Sequence, residues 1–381
     1  MFKRLLTRQI KEKLSRFPAV ALLGPRQSGK TTLAKTLSST YFDLEQQTDQ
    51  LKLDLQWDNL VQGTDLTVLD EAQVMPGIFP KIRGAVDQNR KRSGRFLLLG
   101  SVSPALMRNV SESLAGRLAI CELQPFILSE IGKKRTGDEL WLRGGFPDGG
   151  ILKKKDYPDW ENDYLTLLAE RDLPAWGLPA KPQMTKRFFK MLAAYHGQIW
   201  NASTVSGSLG LSYHTVNHYL EYLQNAYLVL LLPPYHANIR KRLIKSPKIF
   251  WRDSGLLHAL LNIPDRETLL SQPWVGASWE GWCINQILGA LKTVGENYDA
   301  YFFRSSDGYE IDLVLKFSKG LWAFEFKLTG SPTLEDVKRL NVAADLIRAD
   351  QRILITRTSY PEAGAKFLST NIRGGLKRLL S

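Results

Sequence analysis

The sequence predicts an α/β chain of three units, and three observations lead there. At 381 residues it is longer than one ordinary core would use. Apolar runs in its first part alternate with helix-like stretches, the pattern of a buried parallel sheet. Glycine and proline punctuation falls at Arg143-Gly144-Gly145-Phe146-Pro147-Asp148-Gly149-Gly150, before Lys153-Lys154-Lys155, and again near Ile263-Pro264-Asp265 and Gln272-Pro273. The units are therefore expected at 1–150, 151–265 and 266–381.

Composition narrows the class. Hydrophobic residues make up 44% of the chain, enough to fill several cores, and the net charge is +13. That charge points toward nucleic acid or another polyanion, although proteins that bind neither can also be basic. Cys121 and Cys283 are far apart and lack metal-ligand spacing, which argues against a disulfide framework or a zinc site and fits a reducing cytoplasm. The start, Met1-Phe2-Lys3-Arg4-Leu5-Leu6-Thr7-Arg8, has no sustained apolar core, and the longest apolar run, Leu228 to Leu232, stops at Pro233-Pro234. No signal peptide or membrane span is expected.

In the first unit, the apolar strand Ala19-Val20-Ala21-Leu22-Leu23 runs into Gly24-Pro25-Arg26-Gln27-Ser28-Gly29-Lys30-Thr31-Thr32 and then a helix. Glycines at both ends let the backbone curl so that successive N–H groups face inward at a helix N-terminus, a cradle for phosphate. Lys30 would reach the β- and γ-phosphates of a nucleoside triphosphate, and the Thr31 hydroxyl would ligate its Mg²⁺. Tyr41 to Glu45 reads as a short second strand. Leu66-Thr67-Val68-Leu69-Asp70-Glu71 is a buried run ending in two carboxylates at the strand end where α/β ligand sites lie. Asp70 would hold the magnesium through water and Glu71 would orient or deprotonate the attacking water.

A third buried run, Phe96-Leu97-Leu98-Leu99, leads to Gly100-Ser101, where Ser101 is placed to sense the γ-phosphate or the lytic water. Ser101 could equally be a plain turn serine. Arg117, directly after Gly116, could be donated across a subunit boundary to neutralise transition-state charge, or could make a surface salt bridge.

In the middle unit, Ser203 to Leu209, Gly210-Leu211-Ser212 and Tyr213 to Gln224 have the layout helix, turn, helix, with Ser212 as N-cap and Val216, Leu220 and Leu223 at core spacing. The strand-like Tyr227 to Leu232 would add the wing of a winged helix. The outward side of the second helix offers Tyr213, His214, Asn217 and His218, without arginine or lysine, so base readout is a weaker expectation than backbone contact. The segment Arg240-Lys241-Arg242-x-x-Lys245-x-x-Lys248 is the better candidate for touching phosphates, with a solvated basic loop as the alternative.

In the last unit, a helix from Trp274 to Leu291 places Glu280 on or beside its buried stripe. Glu310 to Leu315 and Leu321 to Lys327 read as strands, and a four-residue connection would set Asp312 opposite Glu325, with Lys327 on the same face. Two carboxylates and a lysine suit Mg²⁺-dependent phosphodiester hydrolysis, with Asp312 and Glu325 holding the metal and Glu280 completing the set. This resembles the PD-(D/E)xK nuclease core, which could cleave or could be retained only to hold DNA or another subunit.

The motifs Gly24-x4-Gly29-Lys30-Thr31, Val68-Leu69-Asp70-Glu71-Ala72-Gln73, Leu99-Gly100-Ser101, Leu114-Ala115-Gly116-Arg117 with Leu123-x-Pro125-Phe126-x-x-Ser129-Glu130, Gly144-Gly145-Phe146-Pro147, and Lys245-Ser246-Pro247-Lys248-Ile249-Phe250-x-x-Asp253-Ser254-Gly255-Leu256 together resemble the bacterial and archaeal AAA+ ATP-binding proteins with a C-terminal domain of unknown function. The resemblance covers nearly the whole chain. It implies a P-loop AAA-type ATPase domain using ATP and Mg²⁺, a winged helix-turn-helix middle, a restriction-endonuclease-like end and assembly into a homo-oligomer such as a ring. The expected function is Mg²⁺-dependent ATP hydrolysis by a protein acting on, or regulated by, sequence-nonspecific DNA. An ATP-gated endonuclease and a nucleotide-dependent protein scaffold are the alternatives.

Overall fold

The structure is a computed structural model that describes residues 2–100, 114–132, 135–236, 245–364 and 366–381. Helix α1 (Leu6–Leu14) precedes strand β1 (Ala19–Leu23), and the phosphate loop then turns into α2 (Lys30–Ala34). The chain continues through β2 (Tyr41–Asp43), α3 (Gln47–Gln62), β3 (Thr67–Asp70), α4 (Ile78–Gln88), β4 (Phe96–Gly100) and β5 (Leu118–Glu122). These strands form one parallel sheet in the order β2-β3-β4-β1-β5. β1, β3 and β4 are buried along their length, which is why they read as unbroken apolar runs. The order sets β1 between β4 and β5, so the phosphate loop leaves the sheet where the winding reverses, the usual place for a ligand in such sheets.

The segment after β5 turns away from this sheet. Helix α5 (Gly137–Arg143), with a capping box at Thr136 and Glu139, packs with Phe126, Ile127 and Leu128 into a core completed by the C-terminal unit. Thus 126–142, expected to close the first unit, buries its apolar side chains against the last one.

The middle unit contains α6 (Asp159–Leu167), a π-helical turn (Leu168–Asp172), α7 (Pro182–Ala194), α8 (Ala202–Leu209) and α9 (Tyr213–Asn225). Gly210 at φ 67° makes the turn between α8 and α9; Ser212 caps α9, and Val216, Leu220 and Leu223 are buried. Strands β6 (Val229–Leu232) and β7 (Lys248–Trp251) then pair antiparallel. Tyr227, at φ 59°, lies before the strand rather than within it.

The last unit follows α10 (Ser254–Leu260) and α11 (Arg266–Leu270). It runs α12 (Val275–Val294), β8 (Asp299–Arg304), β9 (Glu310–Phe317), β10 (Gly320–Phe326), α13 (Leu334–Leu346), β11 (Gln351–Thr356), β12 (Glu362–Ala363), β13 (Phe367–Asn371) and α14 (Ile372–Leu380). The sheet order is β12-β13-β11-β10-β9-β8, antiparallel from β8 to β10 and parallel from β10 through β11 to β13. The β9–β10 register sets Phe324 opposite Leu313, which carries Asp312 to Glu325 as the period of two required. A bridge from Pro234 to Phe302 ties the middle ribbon to this sheet.

Candidate functional site

Local geometry builds the first site. The phosphate loop needs left-handed backbone at Gly24, Gln27 and Gly29, with φ of 154°, 59° and 92°. A Cβ on Gly24 would overlap the carbonyl of Leu123, so the loop tolerates no side chain there. Pro25 and Ser28 are buried, Gln27 and Thr32 are exposed, and Arg26 points outward, its Nη1 2.6 Å from Asp172 Oδ1.

Lys30 is buried at the start of α2 and donates to the carbonyls of Gly24 and Pro25 at 3.1 and 2.9 Å. Burial lowers its pKa to about 8, against the opposing pull of Glu71 and Asp70. Its ammonium therefore rests on the loop's own acceptors.

Thr31 Oγ1 donates to Asp70 Oδ2 at 2.6 Å, and the Tyr41 hydroxyl donates to the same oxygen at 2.7 Å. Burial, followed by the Asp70 carboxylate, pushes the Tyr41 phenol up and keeps it a donor. The backbone N–H of Glu71 holds Asp70 Oδ1 at 2.9 Å. Glu71 lies just beyond the strand in left-handed conformation, φ 48° and ψ 46°, with its carboxylate on the Gln73 amide. Thr31 and Asp70 offer the hard oxygen donors a magnesium ion takes, with phosphate oxygens and water left to fill its shell. Such a site does not require three protein ligands. Among the described residues no group of three or more His, Cys, Asp or Glu side chains is placed to hold a metal as folded, the carboxylates of the C-terminal unit included.

A cavity of about 410 Å³ opens on the other side of α2. Phe2, Arg4, Thr32, Thr36, Phe126 and Pro147 are among its walls. Arg4 donates to the Ser28 carbonyl at 2.8 Å and to Glu130 at 3.1 Å, while its guanidinium lies 4.7 Å from the Phe126 ring centre. The Phe2 ring lies 5.4 Å from that of Phe126. Sequence reasoning passed over this cavity because its walls come from four separated segments; its only signal was Gly144-Gly145-Phe146-Pro147, read there as punctuation and family resemblance.

Ser101 lies outside the described residues. Arg117 is held within its own chain by Asp87, Nε at 2.9 Å and Nη2 at 3.0 Å. Tyr213, His214 and His218 are exposed on α9, but Asn217 faces inward and accepts from the Trp200 indole at 3.0 Å, which removes it from the expected outward face. Arg240, Lys241 and Arg242 lie outside the described residues.

Lys248, expected on a phosphate-facing loop, is instead 5% exposed and turned into the C-terminal unit. Its Nζ stands 2.9 Å from Glu280, 2.7 Å from Glu310 and 3.8 Å from Asp312. Burial works against its charge, but Glu280, Asp312 and Glu310 outweigh it and keep Lys248 protonated. Asp312 also accepts from the Phe326 N–H at 2.9 Å, and Lys327 lies 2.8 Å from Glu325. Burial, then Asp312, raises Glu280 and Glu325 to about 8.

Thus Glu280, Asp312, Glu325 and Lys327 do converge, but the expected metal pair Asp312 and Glu325 sits beside an ammonium. The donor set does not fit a divalent cation while Lys248 is there. Sequence reasoning missed Lys248 and Glu310. Glu310 was legible, since it alternates with Asp312 onto the same strand face; Lys248 comes from another unit and carried no such signal.

Asp253 joins these regions. It caps α10 through Leu256 N–H at 3.0 Å and accepts from Gly145 N–H at 2.7 Å, fixing the loop that carries Pro147 to the cavity. Among the described residues no helix is long and apolar enough to cross a membrane.

Comparison with known proteins adds family information to this geometry. Residues 16–132 match the AAA domain, residues 134–267 a domain of unknown function (DUF8612), and residues 275–369 another (DUF4143). Uncharacterized proteins of Mycobacterium bovis and Mycobacterium tuberculosis are each 38% identical over 331 residues, covering 86% of this chain and 74% of theirs. The Walker-type ATPase of Pyrococcus abyssi is 16% identical, covering 68% of this chain and 96% of its own, with a TM-score of 0.48.

Proposed function

Because this chain belongs to one family with the two mycobacterial proteins and opens with an AAA domain, we propose that it binds ATP and hydrolyses it with Mg²⁺ for the benefit of the two units behind. The observation that carries the reading is the Thr31–Asp70 contact of 2.6 Å beside Lys30 at the mouth of the phosphate loop. Lys30 leaves the loop carbonyls for the β- and γ-phosphates, and the loop's curled backbone holds the phosphate chain. Thr31 and Asp70 would hold the magnesium, which would supply positive charge against the phosphates. Glu71 orients the attacking water and Tyr41 fixes Asp70. The cavity bounded by Phe2, Phe126 and Pro147 takes the base, its flat apolar walls suiting a heteroaromatic ring.

Helices α7, α8 and α9 with the ribbon of the middle unit read as a winged helix, and the α12-to-β11 order of the last unit reads as a restriction-endonuclease-like core. With a net charge of +13, the reading is that these units engage DNA without sequence preference. Lys248 among the carboxylates favours DNA holding over cleavage. In a homo-oligomeric ring, Arg117 would serve a neighbouring site after exchanging Asp87 for phosphate.

The test is the ATPase rate with and without single-stranded, duplex and branched DNA, beside a Mg²⁺ and Mn²⁺ cleavage assay. DNA-stimulated turnover without cleavage is expected. Turnover indifferent to every DNA, with no salt-sensitive DNA binding, would leave a nucleotide-dependent protein scaffold.

A further inference from the structure

The C-terminal acidic cluster is served by a cation that belongs to the chain. Lys248 is the first residue of β7, in a different unit from the carboxylates it meets, and its backbone is fixed on two sides. It lies opposite Leu232 in the ribbon and bridges to Ile199. The ammonium cannot swing freely out of the cluster, because the ladder holds its Cα and the side chain is buried.

Three carboxylates come from two other elements: Glu280 from α12, Glu310 and Asp312 from β9. A fourth, Glu325, is tied to Lys327 through Oε1, while its Oε2 is buried without a hydrogen-bond partner. Two hard-oxygen donors within 3 Å of one ammonium leave no room for a second cation at the same point, since like charges in a buried site repel strongly.

We infer that Lys248 occupies the position a divalent cation would take among Glu280, Glu310 and Asp312, so that the C-terminal unit as folded carries a built-in ammonium in place of a metal. That a metal belongs there rests on the nuclease-like reading given above; the occupancy itself rests on the distances. Lys248 thereby also clamps the middle unit to the last one. The clamp opens only if β7 shifts against α12.

The experiment titrates Mn²⁺ into nucleotide-free full-length protein and counts bound ion from the loss of the free six-line electron paramagnetic resonance signal. The wild type is expected to bind no ion at this cluster. Lys248→Met is expected to gain one Mn²⁺ at least tenfold tighter than any wild-type site, and adding Asp312→Asn to that variant is expected to remove it. Should Lys248→Met lose its circular dichroism signal in chelator, recovery of that signal on adding Mn²⁺ supports the inference and failure to recover overturns it. A wild-type Mn²⁺ site that Asp312→Asn abolishes, or a Lys248→Met protein that stays folded and gains none, also overturns it. Nicking of supercoiled plasmid by metal-loaded Lys248→Met reports separately: metal bound without cleavage removes the nuclease reading and leaves Lys248 in the cation's place.

Discussion

Arg26 Nη1, at the tip of the phosphate loop, lies 2.6 Å from Asp172 Oδ1 on the π-helical turn of the middle unit. Asp172 is buried and also receives Arg171 at 2.8 Å, and the Tyr164 hydroxyl donates to the Arg26 carbonyl at 3.3 Å. The loop that is to hold phosphate is thus wired to the next unit by a guanidinium that phosphate would also attract.

Asp172 and triphosphate therefore compete for Arg26. Asp172→Asn is expected to tighten ATP binding by about 1 kcal/mol, roughly fivefold in Kd. Isothermal titration checks this, and unchanged or weaker binding would show that Arg26 never turns to the ligand.

The base cavity predicts a selective loss. Phe126→Ala removes the ring facing Phe2 and Arg4 and is expected to weaken ATP about tenfold through lost apolar contact. Inorganic tripolyphosphate, which has no base, should bind the variant within about twofold of wild type if the loop alone holds it. Equal losses for both ligands would place the base elsewhere.

Gly144 has φ 72°, and a Cβ there would overlap the Asp253 carboxylate that caps α10 and holds Gly145. Gly116 has the same φ of 72° with open space around it. Urea titration should show Gly144→Ala losing about 3 kcal/mol and Gly116→Ala about 1, the difference being the clash rather than the backbone angle. Equal losses would mean that Asp253 moves aside freely.

The phosphate loop and the acidic strand end were readable because their chemistry is contiguous along the chain. The approach of Asp312 to Glu325 was readable because strand pairing has period two. What stayed hidden depends on long-range packing. Lys248 looked like one of a run of surface basic residues, Asn217 like part of an exposed helix face, and 126–142 like the end of the first unit rather than part of the last unit's core. In each case the local pattern was correct for the element and uninformative about what packs against it.

Glu122, at the end of β5, joins the first unit to Arg252 and to Lys292, the latter at 2.5 Å. Burial alone would raise it, but Arg252 and Lys292 prevail and lower it to about 2. Its folded value lies below the unfolded one, so its stabilisation is present above about pH 4.5 and is lost as pH falls toward 2. Glu122→Gln should cost about 3 kcal/mol near neutral pH, with the gap to wild type closing between pH 4.5 and 2 in urea titrations. A gap independent of pH would mean that the carboxylate charge is not what holds these units together.

Lys30 offers the most direct test of the account. Steady-state Mg-ATP turnover by full-length Lys30→Ala is expected to fall at least about a hundredfold below wild type, as befits loss of the ammonium assigned to the β- and γ-phosphates. Turnover at the wild-type rate would contradict the assignment of this loop as the site where ATP is bound and split.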